Sequence, residues 1–187
     1  MMTEIVIFDT ETTGLLKPCN APLYEQPQII EFYGVRLSED FKIISEVESY
    51  IKPTVPISKE ITRITGIKES DVKLARSFAE VYPEILALFE GADIACAHNI
   101  DFDNGMLSAE CSRLGRRVPK AARNLCTVRE LLPEYGFRIT LSALHKRLFG
   151  KMFPAHRAKS DVFALVRVLN KLMEDGVIDL EFYKERV

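Results

Sequence analysis

Three short stretches of this 187-residue chain carry residues able to do chemistry together. Asp9 and Glu11 stand two apart at the end of Glu4–Asp9, a short apolar run whose β-branched residues predict a buried strand. Side chains at i and i+2 of a strand share a face about 6–7 Å apart, so both carboxylates project one way and Thr10 the other. Such a pair repels itself unless a cation lies between, and hard divalent ions such as magnesium or manganese take oxygen ligands. Taken alone, the pair also suits two solvated acids at a sheet edge. The second stretch, His98-Asn99-Ile100-Asp101-Phe102-Asp103, follows the predicted strand Ala92–Ala97. It spans a strand end and a helix start, where α/β proteins build binding sites. There Asp101 or Asp103 could join a metal cluster or cap the helix. The third runs from His156 to Asp161. A spacing of five on one continuous helix would set the two about 140° apart, too far to converge. Pro154 predicts a break, placing His156 on a mobile loop just before the helix and Asp161 in its first turns. An acid at that place also suits the helix dipole.

The elements that must position these residues follow from the pattern. Gln28 to Leu37 and Phe41 to Ile51 read as second and third strands around a turn at Ser38-Glu39-Asp40, after a proline-bearing loop over 17–28. Three strands with short connections predict an antiparallel meander. Short helices are expected at Ser58–Ile64 and Glu69–Ala75, punctuated by Gly66. A longer one, Phe78–Phe89, carries Pro83 in its first turns. Asp103–Leu114, Val128–Tyr135, Leu141–Phe149 and Val162–Met173 read as helices, and Asn124–Thr127 as a fifth strand. Strands first, then alternating helices and strands, predict a mixed sheet with helices packed on it.

Composition bounds the rest. The length suits one domain, and 47% hydrophobic with 28% charged residues is globular. No apolar stretch is long enough for a transmembrane helix. The start, Met1-Met2-Thr3-Glu4, lacks the features of a secretory signal. No two of Cys19, Cys96, Cys111 and Cys126 are spaced C-x-x-C, which predicts free thiols in a cytoplasmic protein and no zinc ribbon. The net charge of −2 hides an asymmetry. Between Arg113 and Lys159 stand twelve Lys/Arg against only Glu130 and Glu134, a local +10 that leaves −12 for the remainder. Such a division suits phosphate on the basic segment and metal on the acids, or equally a solvated surface.

The ordered set D-T-E-T-T-G-L, H-N-x-x-F-D and H-x-x-x-x-D resembles the DnaQ-like 3′–5′ exonucleases of the DEDDh type. Within them it is most similar to the proofreading epsilon subunits of bacterial DNA polymerase III. Ile29-Ile30-Glu31 is similar to the family's second strand and Thr65-Gly66-Ile67 to its mid-chain turn, so the likeness covers nearly the whole chain. It implies a single exonuclease domain over residues 1–187. The implied fold is an α/β, ribonuclease H-like mixed five-stranded sheet, with strands 1–3 as a meander, parallel strands beside them and helices on both faces. It further implies Asp9, Glu11, Asp103 and Asp161 as carboxylates for two divalent cations, magnesium or manganese, and His156 as general base. It selects Asp103 over Asp101, which spacing leaves open. Thr12, Leu15, Asn99 and Phe102 fall where relatives line the 3′-terminal nucleotide. Met106 departs from the pattern, since relatives often carry a larger aromatic there, and that bears on the shape of the nearby pocket.

The expected activity is therefore two-metal hydrolysis from a 3′ end, releasing nucleoside 5′-monophosphates. Asp9, at the strand end between the other acids, is the natural bridging ligand. His156 would accept the proton of the attacking water. Single-stranded or frayed DNA is the expected partner, with Phe102 and Leu15 taking the unstacked base and the basic segment tracking the backbone. An RNA-trimming exoribonuclease similar to ribonuclease T shares every one of these residues and differs in contacts to the 2′-hydroxyl. An accessory subunit of a DNA polymerase is the third reading. Only eleven residues follow Gly176 and no glutamine follows Gln28, which predicts neither the longer tail of the epsilon family nor a sliding-clamp box.

Overall fold

The computed structural model describes residues 3–185. Five strands form one sheet in the order β3-β2-β1-β4-β5: β1 (Ile5–Thr12), β2 (Ile29–Leu37), β3 (Ile43–Tyr50), β4 (Ile94–Ala97) and β5 (Arg123–Cys126). The first three pair antiparallel, as the short connections require, while β4 runs parallel to β1 and β5 parallel to β4. The change of direction falls at β1, so the carboxyl end of this central strand opens beside that of β4, where α/β sheets bind ligands.

Alternation along β1 divides the core into two layers. Ile5 and Ile7 join Tyr33 and Val35 under α6 (Leu141–Phe149) and α7 (Ala158–Glu174). Val6 and Phe8 join Phe32 under α3 (Phe78–Phe89) and α4 (Ile100–Leu114). Helices thus cover both faces. The α7 stripe of Val162, Leu165, Val168, Leu169 and Leu172 is buried, as its 3.6-residue period predicts. On β2, Gly34 permits close packing of α3, because a Cβ there would stand 2.7 Å from the Leu88 Cδ2. A third, smaller cluster of Ile30, Ile57, Ile67 and Val72 fastens α1 (Lys59–Thr65) and α2 (Glu69–Val72) near the strand ends.

Several details differ from the sequence reading, among them the start of α7 at Ala158 rather than Val162. β1 continues to Thr12 rather than ending at Asp9, because it pairs with β2 along its whole length. The second-motif helix begins at Ile100, not Asp103. The first of the two short helices runs Lys59–Thr65, and the second is a single turn ending at Val72. Short helices α5 (Thr127–Tyr135) and α8 (Leu180–Glu185) complete the described chain. No helix among the described residues is long and apolar enough to cross a membrane. Cys96, Cys111 and Cys126 are buried free thiols, and Cys19 is exposed and free.

Candidate functional site

Asp9 and Glu11 share the face of β1 that carries Ile5 and Ile7, and α7 packs on that face. Its first turn delivers Asp161. One carboxylate oxygen from each of Asp9, Glu11 and Asp161 lies within 4.8 Å of the other two. The helix begins at Ala158, so His156 precedes it on a loop, exposed, as Pro154 predicted. His156 has φ 65°, a left-handed conformation uncommon for a residue with a side chain and concentrated at functional sites.

Asp103 reaches the same strand end from the other face. It lies in the first turn of α4, 2% exposed. Its Oδ1 accepts from the Thr10 backbone N–H at 3.1 Å and from Thr10 Oγ1 at 2.8 Å. Thr10 alternates against Asp9 and Glu11, which explains why Asp103 stands outside the group of three while its charge still acts on Asp9. Asp101 is exposed and pairs with Arg129 at 3.4 Å. Neither aspartate caps α4. The N-cap is Asn99, at φ 77°, so the capping role left open for both is corrected: each sits inside the first turn.

Crowding these acids at a partly buried strand end disfavours their charged forms. Burial, then the charges of Asp103, Asp161, Glu11 and Glu31, hold the Asp9 carboxyl well above the usual carboxylate range. Burial and Asp161 push Glu11 up to about 8, with the Arg157 guanidinium acting in the opposite sense. Burial raises Asp103 to about 7 against the pull of the Thr10 hydrogen bonds, and raises Asp161 to about 6 against the backbone N–H of Arg157. A set of hard oxygen donors whose ionisation is opposed until positive charge arrives is chemically fitted to divalent cations.

Beside the acids lies a cleft of about 540 Å³ lined by residues 10–15, Ser58, Glu60, Ile61, Ile64, Thr65 and Phe102. Leu15, 82% exposed, and Phe102 face it together. Thr12 Oγ1 donates to the Gly14 carbonyl at 2.7 Å, which shapes the turn that presents Leu15. Asn99 is not among the residues lining this cleft; its Oδ1 accepts from Arg138 Nη2. Met106 is fully buried in the core and does not line this cleft. His98 serves the scaffold. Its ring nitrogens meet Thr127 Oγ1 at 2.8 Å and the Ile139 carbonyl at 2.9 Å, tying the 137–140 loop to the strand ends.

The basic segment is not a continuous free track. Arg113 turns inward, donating to the Gln26 and Pro27 carbonyls at 2.6 and 3.0 Å and pairing with Glu110. Arg117, Arg129, Arg157 and Lys159 pair with Glu90, Asp101, Glu31 and Glu48. The sequence reading gave no chemical role to Glu31 or to the α1 residues of the cleft, and counted Arg157 only among the basic residues expected to track the backbone, whereas it pairs with Glu31. Glu31 carried a signal. A glutamate inside Ile29-Ile30-Glu31-Phe32-Tyr33 must be buried if that strand is central, and a buried carboxylate demands a partner.

Comparisons with known proteins give the family and the fold. A family model described as exonuclease, RNase_T, matches residues 6–169. Among curated proteins the chain is similar to the PolC-type DNA polymerase III of Caldanaerobacter subterraneus subsp. tengcongensis. There it is 33% identical over 178 residues, which is 93% of this chain and 12% of the polymerase. It is 30% identical over 185 residues to that of Streptococcus thermophilus, again 12% of the relative. This chain thus spans about an eighth of the length of those polymerases. Among solved structures, the nuclease domain of 3′hExo, a DEDDh family member bound to rAMP, superposes with a TM-score of 0.75 at 19% identity, covering 94% of both chains. Exonuclease X in complex with 5′ overhanging duplex DNA gives 0.64 at 23% identity, covering 92% of this chain and 93% of its own. At those identities the likeness is one of fold.

Proposed function

This chain belongs to the RNase_T exonuclease family, and from that premise we propose that it is a DnaQ-like, DEDDh-type member that removes nucleoside 5′-monophosphates from the 3′ end of DNA, preferring single strands or frayed ends. The observation that carries this reading is the meeting of Asp9, Glu11 and Asp161, from distant segments, within 4.8 Å, with Asp103 buried against Thr10 beside them. The similarity at 30–33% identity to polymerases that act on DNA favours DNA over RNA.

Asp9, Glu11, Asp161 and Asp103 are the residues that would hold two divalent cations, magnesium or manganese. Such cations supply charge neutralisation, an acidified water and stabilisation of the leaving oxygen. The chain's own contribution is positional. The carboxylates fix where the phosphodiester must sit, at the carboxyl end of β1. His156, exposed on its loop beside Asp161, takes the proton of the attacking water. Leu15 and Phe102 receive the terminal base once it leaves the stack, a step that costs least at a frayed or single-stranded end. Thr12 and Asn99 hold the sugar and the edge of that nucleotide. Arg138, which already contacts Asn99, supplies positive charge beside it.

Digestion of end-labelled single-stranded DNA, duplex DNA and matched RNA, with magnesium and with chelator, tests the proposal. Shortening of the DNA from its 3′ end that chelator abolishes is the expected result. Preferential trimming of the RNA would replace the DNA reading with an exoribonuclease, and no digestion of any substrate would leave a polymerase accessory module. Association with a DNA polymerase is checked by pull-down.

A further inference from the structure

The catalytic loop has two anchors, and the second uses residues outside the metal and nucleotide sites. At its upstream end Phe153 is buried against the His145 ring, 5.0 Å between centroids, and His145 Nδ1 meets the Lys151 carbonyl at 3.0 Å. At its downstream end Arg157 is held by Glu31, which is 4% exposed on β2, directly opposite Glu11 in the strand register. Arg157 Nη2 donates to Glu31 Oε1 at 2.8 Å, and its Nε lies 3.2 Å from both carboxylate oxygens. The remaining capacity of Glu31 Oε2 accepts the Ala158 backbone N–H at 3.0 Å, at the first residue of α7. From β3, Tyr50 closes the group. Its hydroxyl accepts from Arg157 Nη2 at 2.6 Å, and its ring lies 5.4 Å beneath the guanidinium. The Arg157 backbone N–H, meanwhile, donates to Asp161 Oδ2 at 2.9 Å. Between the anchors remain only Pro154, Ala155 and His156, the last at φ 65°.

We propose that Glu31, Arg157 and Tyr50 form a latch that fixes the loop at the start of α7 and thereby aims His156 at the reacting phosphodiester, so that Glu31 and Arg157 are positioning residues of the exonuclease. Neither residue needs to touch substrate. A buried carboxylate that receives a bidentate guanidinium and a helix-start N–H is fully used, and it converts the stiffness of the sheet into stiffness of the loop. Restricting His156 to a three-residue excursion keeps a non-glycine residue in its left-handed conformation, which a free loop would relax. The inference rests on the exonuclease reading of the site, and its test separates the two.

The variants are Arg157→Met, Glu31→Gln, the milder Tyr50→Phe, and His156→Ala, alone and combined with Arg157→Met. Each is measured for kcat and KM on a single-stranded DNA oligonucleotide, for manganese affinity by calorimetry and for thermal melting. A misplacement of about 1 Å costs on the order of a hundredfold, so Arg157→Met is expected to lower kcat by about tenfold to a hundredfold. KM and manganese affinity should stay within about threefold. Glu31→Gln should lower kcat likewise, with the Glu31→Gln/Arg157→Met double variant no worse than the poorer single, and Tyr50→Phe should lose about twofold to fivefold. In the His156→Ala background, Arg157→Met should add little further loss, which a merely structural role would not produce. A full multiplicative loss there would overturn the latch. So would unchanged kcat in Arg157→Met, or a raised KM at unchanged kcat, which would make Arg157 a substrate contact. If Arg157→Met melts too low to assay, Tyr50→Phe decides, since it removes only one hydroxyl. An inactive wild-type protein, or full turnover in His156→Ala, would instead count against the reading on which the latch rests.

Discussion

Proton release on metal binding follows directly from the crowding of the acids. In the metal-free centre Glu11 sits at about 8, Asp103 at about 7 and Asp161 at about 6, with Asp9 raised well above its ordinary 3.8. At pH 7 a carboxyl at about 8 is roughly nine-tenths protonated, one at about 7 half protonated and one at about 6 a tenth. The acids titrate as a group; Glu11, Asp103 and Asp161 alone hold about one and a half protons that divalent cations must displace, and the raised Asp9 carboxyl adds to them. Manganese affinity should then climb about tenfold to a hundredfold per pH unit around neutrality. Calorimetric titration at pH 7 in buffers of different ionisation enthalpy reads the number directly, as the slope of observed heat against buffer enthalpy. The same shifts set a stability trend. Because the folded values lie above the unfolded ones, the stability these groups contribute is full below about pH 4. It is lost as pH rises through about 8. The metal-free protein should melt lower at pH 8 than at pH 6, and the gain in melting temperature on adding manganese should be larger at pH 8. A buffer slope near zero at pH 7 would refute the reasoning, because it would mean that the acids are already ionised and therefore not crowded as described.

Four further outcomes are expected. Asp9→Asn should abolish turnover and weaken manganese binding, yet raise the urea midpoint of the metal-free protein at pH 8 by about 1 kcal/mol equivalent, since it relieves like-charge repulsion. His156→Ala should lose about 10²–10⁴ in kcat, as removal of a general base does, while calorimetry finds its manganese affinity kept. Leu15→Ala should raise KM for an oligonucleotide by about threefold to tenfold without changing the melting temperature, because the side chain is 82% exposed until a base covers it. Gly34→Ala should cost about 1–3 kcal/mol in chemical denaturation by crowding Leu88 and Phe32.

Much of the site was legible in the residues themselves because local rules govern it. Period-two alternation put Asp9 and Glu11 on one face and Thr10 on the other, and β1 obeys it. Pro154 separated His156 from the helix that carries Asp161. The mixed sheet followed from short connections early and helical crossovers later. Other features depend on which distant elements meet. Spacing alone could not choose between Asp101 and Asp103. That choice belongs to the angle at which α4 leaves β4, which buries one against Thr10 and leaves the other to Arg129. Nor could the basic segment reveal that five of its charges are spent on acids. The residue types and their order determined which chemistry is available, because strand and helix periodicities are properties of neighbours in the chain. Where the carboxylates converge, and that Glu31 of β2 grips Arg157 at the mouth of α7, was decided only by tertiary packing. Those contacts join residues more than a hundred positions apart, and no local periodicity encodes so distant a pairing.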